Sequence, residues 1–278
     1  MIALSLSLAA CLGWGLADFL GGLESRRLPT ITVLMFSNLF GLALIGAIVG
    51  LRGASLPPPA AIRWAVAAGV AAIAAMFLLY KGLSRGKMAI VAPISATGVI
   101  LPVVAGIACG ESLAGFQSLG ILAALAGSIL AARGAKGGRS VSGGEAGVVF
   151  AAGSAVAAGI FFILMDRASE ADPYWASLLM RTSFGVFLLP ILLAGRPSFR
   201  VGRVHLPGLI ALGAVDCLAS VAFAVATTVG LLSIVAVFSS LYPVVTVMLS
   251  MLILRERPGR VQMIGVALAL AGVGMASV

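Results

Sequence analysis

The sequence predicts an all-α integral membrane protein whose ten transmembrane helices form two inverted five-helix repeats. Three observations carry this: an apolar composition, ten apolar runs of spanning length, and one internal offset that holds along the chain. Of the 278 residues, 61% are hydrophobic and 10% charged. A soluble domain has roughly 45–50% apolar and about 25% charged residues. So few charges cannot cover so much apolar surface in water, and the solvent must be lipid. The net charge of +9 would point to nucleic acid in a soluble protein. Here the basic residues lie in short loops between apolar runs, where they orient helices, and no nucleic-acid partner is expected.

A helix needs about 20 residues to cross a hydrocarbon core of about 30 Å. Ten stretches meet that need: 2–22, 31–51, 62–83, 88–109, 113–132, 145–166, 174–194, 206–229, 232–254 and 260–277. Leu8-Ala9-Ala10-Cys11 resembles a lipoprotein cleavage box, but no Lys or Arg precedes it, as a signal peptide requires. The first stretch is therefore read as a helix. Cys11, Cys109 and Cys217 are odd in number and form no CxxC, which indicates neither a disulfide framework nor a metal site. They read as small packing residues. The loops are short except for 133–144, a glycine-rich and basic stretch read as a flexible linker. It separates a first unit, 1–135, from a second, 144–278.

The two units repeat at an offset of 144: Gly15 on Gly159, Pro29 on Pro173, Phe40-Gly41 on Phe184-Gly185, Gly69 on Gly213, Gly86 on Gly230, and Ile90-Val91-Ala92 on Ile234-Val235-Ala236. One inserted residue then makes the offset 145, and Glu111, Gln117, Gly120 and Gly127 meet Glu256, Gln262, Gly265 and Gly272. A single offset held from end to end indicates duplication. Five spans per unit is an odd number, so the second copy enters the membrane upside down. Charge agrees. The side that holds the loops after the first, third, fifth, seventh and ninth stretches carries 14 Lys and Arg, helix ends included, against Arg52, Arg63 and Arg167 on the other side. That bias places the basic side in the cytoplasm and both termini outside.

The chain resembles the drug/metabolite transporter superfamily, and within it the EamA-like group with ten helices in two repeats. The likeness rests on Trp14-Gly15-Leu16-Ala17-Asp18-Phe19, on the run from Tyr80 to Pro93, and on the two Glu-x-x-x-x-x-Gln-x-x-Gly segments that begin at Glu111 and Glu256. It covers essentially the whole chain. The resemblance implies a secondary transporter of the inner membrane, most often an exporter of amino acids, metabolites or drugs, with a cavity between the repeats. Members of the group are usually drawn with both termini inside, a departure from the charge count here.

Symmetry sorts the candidate residues, because what repeats serves the fold and what does not is free to serve a solute. The ionisable residues within the apolar stretches do not repeat: Asp18 falls on Phe162, Arg181 on Ser37 and Asp216 on Ala72. Asp216 lies near mid-membrane, where a charge costs about 2.5–3.5 kcal/mol on insertion scales. It must face the interior, either as a coupling or substrate-binding carboxylate or as a partner for Arg181. Arg181 either snorkels to water or binds a carboxylate. Asp18 shares a helical face with Trp14 at i, i+4, so the two can line one wall; being within a turn of the interface, it also reads as a solvated helix end. Ser239, Tyr242, Thr246 and Ser250 form a polar stripe around Pro243, able to bond a solute or to glue helices. Pro93, Pro102 and Pro243 remove backbone donors and bend their helices.

Gly120-Ala124-Gly127 and Gly265-Ala269-Gly272 are small-residue seams suited to packing within the chain or to a dimer contact. Glu111 and Glu256 repeat, and read as acids at helix starts near positive dipoles. Tyr174 and Trp175 fit an interfacial aromatic belt.

No cofactor or metal is expected, and the partners are a small-molecule substrate and membrane lipid, with the chain a monomer or a homodimer. An intramembrane enzyme is disfavoured, since His205 is the one histidine and no Gly-x-Ser-x-Gly, His-Glu-x-x-His or nucleotide loop occurs. A non-transporting subunit of a membrane complex is the other alternative. Inverted repeats with a midplane site are a recurrent plan for alternating access. A reporter tag after residue 135 is expected on the opposite face of the membrane from one after residue 278. Both on one face would exclude two odd-numbered units.

Overall fold

Hydrocarbon offers a backbone no water to bond, so a chain of this composition has to satisfy its amides within helices. The computed structural model, which describes residues 1–86, 88–111, 115–133, 144–195, 201–255 and 259–276, does this throughout. Its elements are α1 (Ile2–Glu24), α2 (Thr30–Arg52), α3 (Pro59–Arg85), α4 (Met88–Ala96), a 3₁₀ turn (Thr97–Val99), α5 (Ile100–Ala108), α6 (Gly115–Arg133), α7 (Gly144–Ser169), α8 (Pro173–Gly195), α9 (Leu206–Val229), α10 (Leu232–Ser239), α11 (Tyr242–Ile253) and α12 (Arg260–Ala276). No strand occurs among the described residues.

Among the described residues, six stretches are long and apolar enough to cross a membrane: α1, α2, α3, Gly147–Ser169 of α7, α9, and Leu232–Ile253. The interior of the linker expected at 133–144, together with Glu256, lies outside the described residues, as do the side chains of Gln117 and Gln262.

Helix ends follow local chemistry. Pro59 and Pro173 open α3 and α8, where a missing N–H costs nothing. Gly53, with φ of 60°, closes α2 in the left-handed conformation that glycine adopts without strain.

The fourth and ninth apolar stretches are broken rather than continuous. The first break is the turn at Thr97–Val99 and the second the turn at Ser240–Leu241. Each comes just before a proline. Pro102 cannot bond back to Gly98, nor Pro243 to Ser239, and each ring crowds that carbonyl. Pro243, expected inside a bent helix, instead starts α11 in its first turn.

The bundle is apolar outside and small or polar within. Leu51, Leu193, Val149 and Leu252 are 90%, 69%, 70% and 74% exposed, while Ser7, Thr32, Ser177, Ser233 and Thr246 are fully buried. Without a hydrophobic force between helices in lipid, small residues and interhelical bonds hold such a bundle.

The contacts come in pairs that swap when the two units are exchanged. α1 packs on α9 as α7 packs on α3; α2 packs on α9 as α8 packs on α3; α6 and α12 pack on each other, as do α2 and α8. In α6 and α12, Gly120, Gly127, Gly265 and Gly272 are buried. α1 is antiparallel to α9, for Ala3 meets Gly230, Gly13 meets Ala219, and Glu24 meets Gly208. Similarly α3 is antiparallel to α7, with Gly82 beside Gly147 and the Ala75 carbonyl bonded by Ser154.

Polar anchors join the units at both ends. At one, the His205 Nδ1 and Glu24 Oε2 lie 2.7 Å apart. At the other, Arg52 bonds Asp172 at 3.0 Å and stacks on Tyr174 at 4.1 Å, and the Trp175 indole donates to the Ala54 carbonyl at 3.2 Å. Tyr174 and Trp175 thus tie α8 to the α2–α3 loop as well as sitting at an end of the bundle. Glu111 does meet a helix start, that of α10. Its carboxylate accepts the amides of Leu232 and Ser233 at 2.8 and 3.1 Å and the Ser233 hydroxyl, capping α10 across the unit boundary. Cys11 and Cys217 are buried as packing residues, whereas Cys109 is exposed beside Arg167.

The close approach of α9 to α2 supplies a test. A methyl on Gly213 would stand 2.9 Å from the Phe40 Cβ and 3.1 Å from the Gly41 amide, whereas Gly46 has nothing within 4 Å. Gly213→Val is expected to lower the melting temperature in detergent by several degrees, overpacking costing about 1–3 kcal/mol. Gly46→Ala should leave it unchanged or slightly raised.

Candidate functional site

A partly open cavity lies where the two units meet. Its wall takes residues from α1 to α4 and from α7, α8, α9 and α11. Most of that wall is apolar, with Trp14, Phe161, Phe162 and Tyr242 on one side. Trp14 is the hub of this group, its ring centroid 5.7 Å from Phe162, 5.4 Å from Phe223 and 6.4 Å from Tyr242. Its backbone neighbour Gly15 lets α11 come close, since a methyl there would stand 2.7 Å from the Tyr242 carbonyl.

Among the described residues, the ionisable groups of the wall are Asp18, Arg181 and Asp216, with the phenols of Tyr80 and Tyr242. Arg181 does not snorkel: it is 3% exposed and donates from Nη2 to Asp216 Oδ2 at 2.7 Å. The same nitrogen lies 3.4 Å from the Ser220 hydroxyl, which itself donates to the Asp216 carbonyl at 2.8 Å. Room for the guanidinium is made on α2, where a methyl on Gly41 would stand 2.6 Å from Nη1. Asn38, also on α2, donates to the Arg181 carbonyl at 3.2 Å. Three helices therefore hold one charge pair.

Asp18 is 2% exposed, not a solvated helix end. Its Oδ2, like Asp216 Oδ1, takes no hydrogen bond from a described residue, and Arg181 Nε gives none to one. Tyr80 stands beside it across the cavity from α3, its ring lying over Gly21 of α1.

Of the residues singled out in the sequence, the structure brings Trp14, Asp18, Arg181, Asp216 and Tyr242 to this cavity. Ser239 and Thr246 are not among its lining. Thr246 is fully buried and bonds the Gly15 carbonyl at 3.0 Å, while Ser239 lies buried at the end of α10. The break at Ser240–Leu241 divides the expected stripe, so the spacing of an unbroken helix does not apply to it. Tyr80, Asn38, Ser95 and Ser154 were not legible as site residues, although an asparagine within an apolar run is itself a signal. The Ser95 and Ser154 hydroxyls lie 2.9 Å apart and join α4 to α7.

The pair supplies a test of its own. Arg181→Met leaves the partly buried Asp216 carboxylate unpaired and is expected to destabilise by less than the about 3–5 kcal/mol of a fully buried pair, read as a fall in melting temperature. Joining it to Asp216→Asn should restore much of the loss. Equal melting temperatures for the single and double variants would show that the pair is not coupled.

The chain was compared with known proteins. The EamA-like transporter family matches residues 1–133 and again residues 145–278. No curated protein matches. Among solved structures, 29 chains match. One, a crystal structure of a protein 20% identical to this chain, superposes with a TM-score of 0.71 over 97% of this chain and 96% of that one, so the two share a fold. With the family matching nearly the whole chain in two parts, and six helices able to cross a membrane, this multi-pass membrane protein belongs to the EamA-like transporter family.

Proposed function

We propose that the protein is a secondary transporter of the inner membrane, exporting small metabolites, amino acids or drug-like solutes by alternating access. The working parts in this reading are residues 1–135 and 144–278, two inverted units of five spans each. The observation that carries it is the position of the cavity. It lies on the boundary between the units, and its wall holds a buried ion pair and a second carboxylate, groups that are costly in lipid and mark solute or ion pathways. Trp14, Asp18, Arg181, Asp216 and Tyr242 bind or couple in this reading, and Ser239 and Thr246 support the α10–α11 break behind them.

The breaks in the fourth and ninth apolar stretches suit rocking of one unit on the other, because a turn bends at lower cost than a continuous helix. The anchors at the two ends are what such motion would exchange: the Glu24–His205 contact at one, and at the other the Arg52–Asp172 pair with the Glu111 cap on α10. The basic end is cytoplasmic in this reading, with both termini outside. The α6–α12 contact forms within one chain, which favours a monomer. A non-enzyme reading accords with the family and with His205 bonded to Glu24 at an end of the bundle.

Flux into proteoliposomes tests the proposal. Full-length protein, offered a panel of labelled metabolites, amino acids and lipophilic amines, should move at least one faster than empty vesicles. Asp216→Asn should cut that flux by about tenfold or more, since each tenfold is about 1.4 kcal/mol in the barrier. Binding without flux would favour a subunit of a larger complex, and chemical change of the solute would favour an enzyme.

A further inference from the structure

The charges of the cavity point beyond transport to the class of solute, and this inference rests on the reading of the cavity as the solute site. Among the described residues its wall holds two carboxylates, Asp18 and Asp216, and one cation, Arg181. With all three ionised, two acids and one base leave a formal charge of −1. Arg181 is held at 2.7 Å by Asp216, and Gly41 backs the guanidinium so closely that a methyl there would stand 2.6 Å from it. A solute carboxylate would have to displace Asp216 from a seat built by three helices. Asp18 has no such partner: it is 2% exposed, and its Oδ2 takes no hydrogen bond from a described residue. A buried carboxylate left uncompensated is expensive, and a proton or a cation must balance it.

Trp14, one helical turn from Asp18 on the same face, also lines the cavity. Aromatic faces attract cations as well as apolar bodies. We infer that the cavity selects monocationic solutes, an ammonium or similar group on an aromatic or apolar body, with Asp18 as the anion that holds the charge. A zwitterion leaves the excess negative charge in place, and an anion increases it.

The experiment is a binding series on the purified full-length protein in lipid nanodiscs, using four probes that share a phenylalkyl body: 2-phenylethylamine, phenylalanine, 3-phenylpropionate and 2-phenylethanol. The amine is expected to bind about tenfold or more tighter than each of the others, tenfold being about 1.4 kcal/mol. Asp18→Asn should remove that preference, and Asp18→Glu should keep most of it. The wild-type series stands even if a variant fails to fold. An amine that binds no tighter than phenylalanine, binding of none of the four, or a preference undiminished in a folded Asp18→Asn would overturn the inference. The transport reading fails separately: wild-type protein that binds the amine yet moves no solute into vesicles overturns that reading, whereas flux of zwitterions without amine preference overturns only this one.

Discussion

A guanidinium in hydrocarbon needs an anion and several hydrogen-bond acceptors, and Arg181 is where this bundle meets that requirement. The anion comes from α9 and the space from α2, while α8 carries the charge itself. Once Arg181 points inward, the rotation of all three helices about their axes is constrained. Asp216 must face α8, Gly41 must face the guanidinium, and Asn38 follows one turn away to bond the Arg181 carbonyl. The polar pocket of the protein lies where it does because three helices turn these faces together. Moving the pair elsewhere would expose a charge to lipid.

Around that pair the bundle is held by close approach more than by apolar burial, for lipid tails are as apolar as leucine. Gly15 against the Tyr242 carbonyl and Gly159 against the Gly98 carbonyl are the same contact made twice, once in each direction between the units. Gly98 and Tyr242 occupy matching places at the two breaks, one in the 3₁₀ turn and one at the start of α11. Each break therefore lies against a glycine of the opposite unit. The freedom that proline introduces into the fourth and ninth stretches is placed at the boundary, next to the cavity, and not at the lipid face.

Asymmetry then does what symmetry cannot. The paired glycines build two equivalent halves of a frame, but Asp18, Arg181 and Asp216 have Phe162, Ser37 and Ala72 as their counterparts. Phe162 joins the aromatic wall around Trp14, and Ser37 and Ala72 line the cavity. Each pair of duplicated positions thus contributes to the same cavity in two chemistries, charge from one member and apolar or hydroxyl surface from the other.

Membrane class, helical composition and the repeat could be read from the chain alone, because spanning length, hydropathy and a constant offset are local or periodic properties. So could five residues of the cavity, since an ionisable group within an apolar run has to face inward wherever the helix goes. The tertiary structure decided the rest. Whether Arg181 snorkelled or paired depended on Asp216 being within reach from α9. Asp18 was buried rather than solvated because it lies in the wall of the cavity between the units. Glu111 capped α10 because the units interlock. Ser239 fell behind the cavity because a proline-linked break set α10 off from α11, and Thr246 bonded Gly15 because that glycine lets α1 approach α11 closely. Each of these turns on which surfaces meet across the unit boundary. Spacing along one chain carries no record of that, since the partners lie from 35 to more than 200 residues apart.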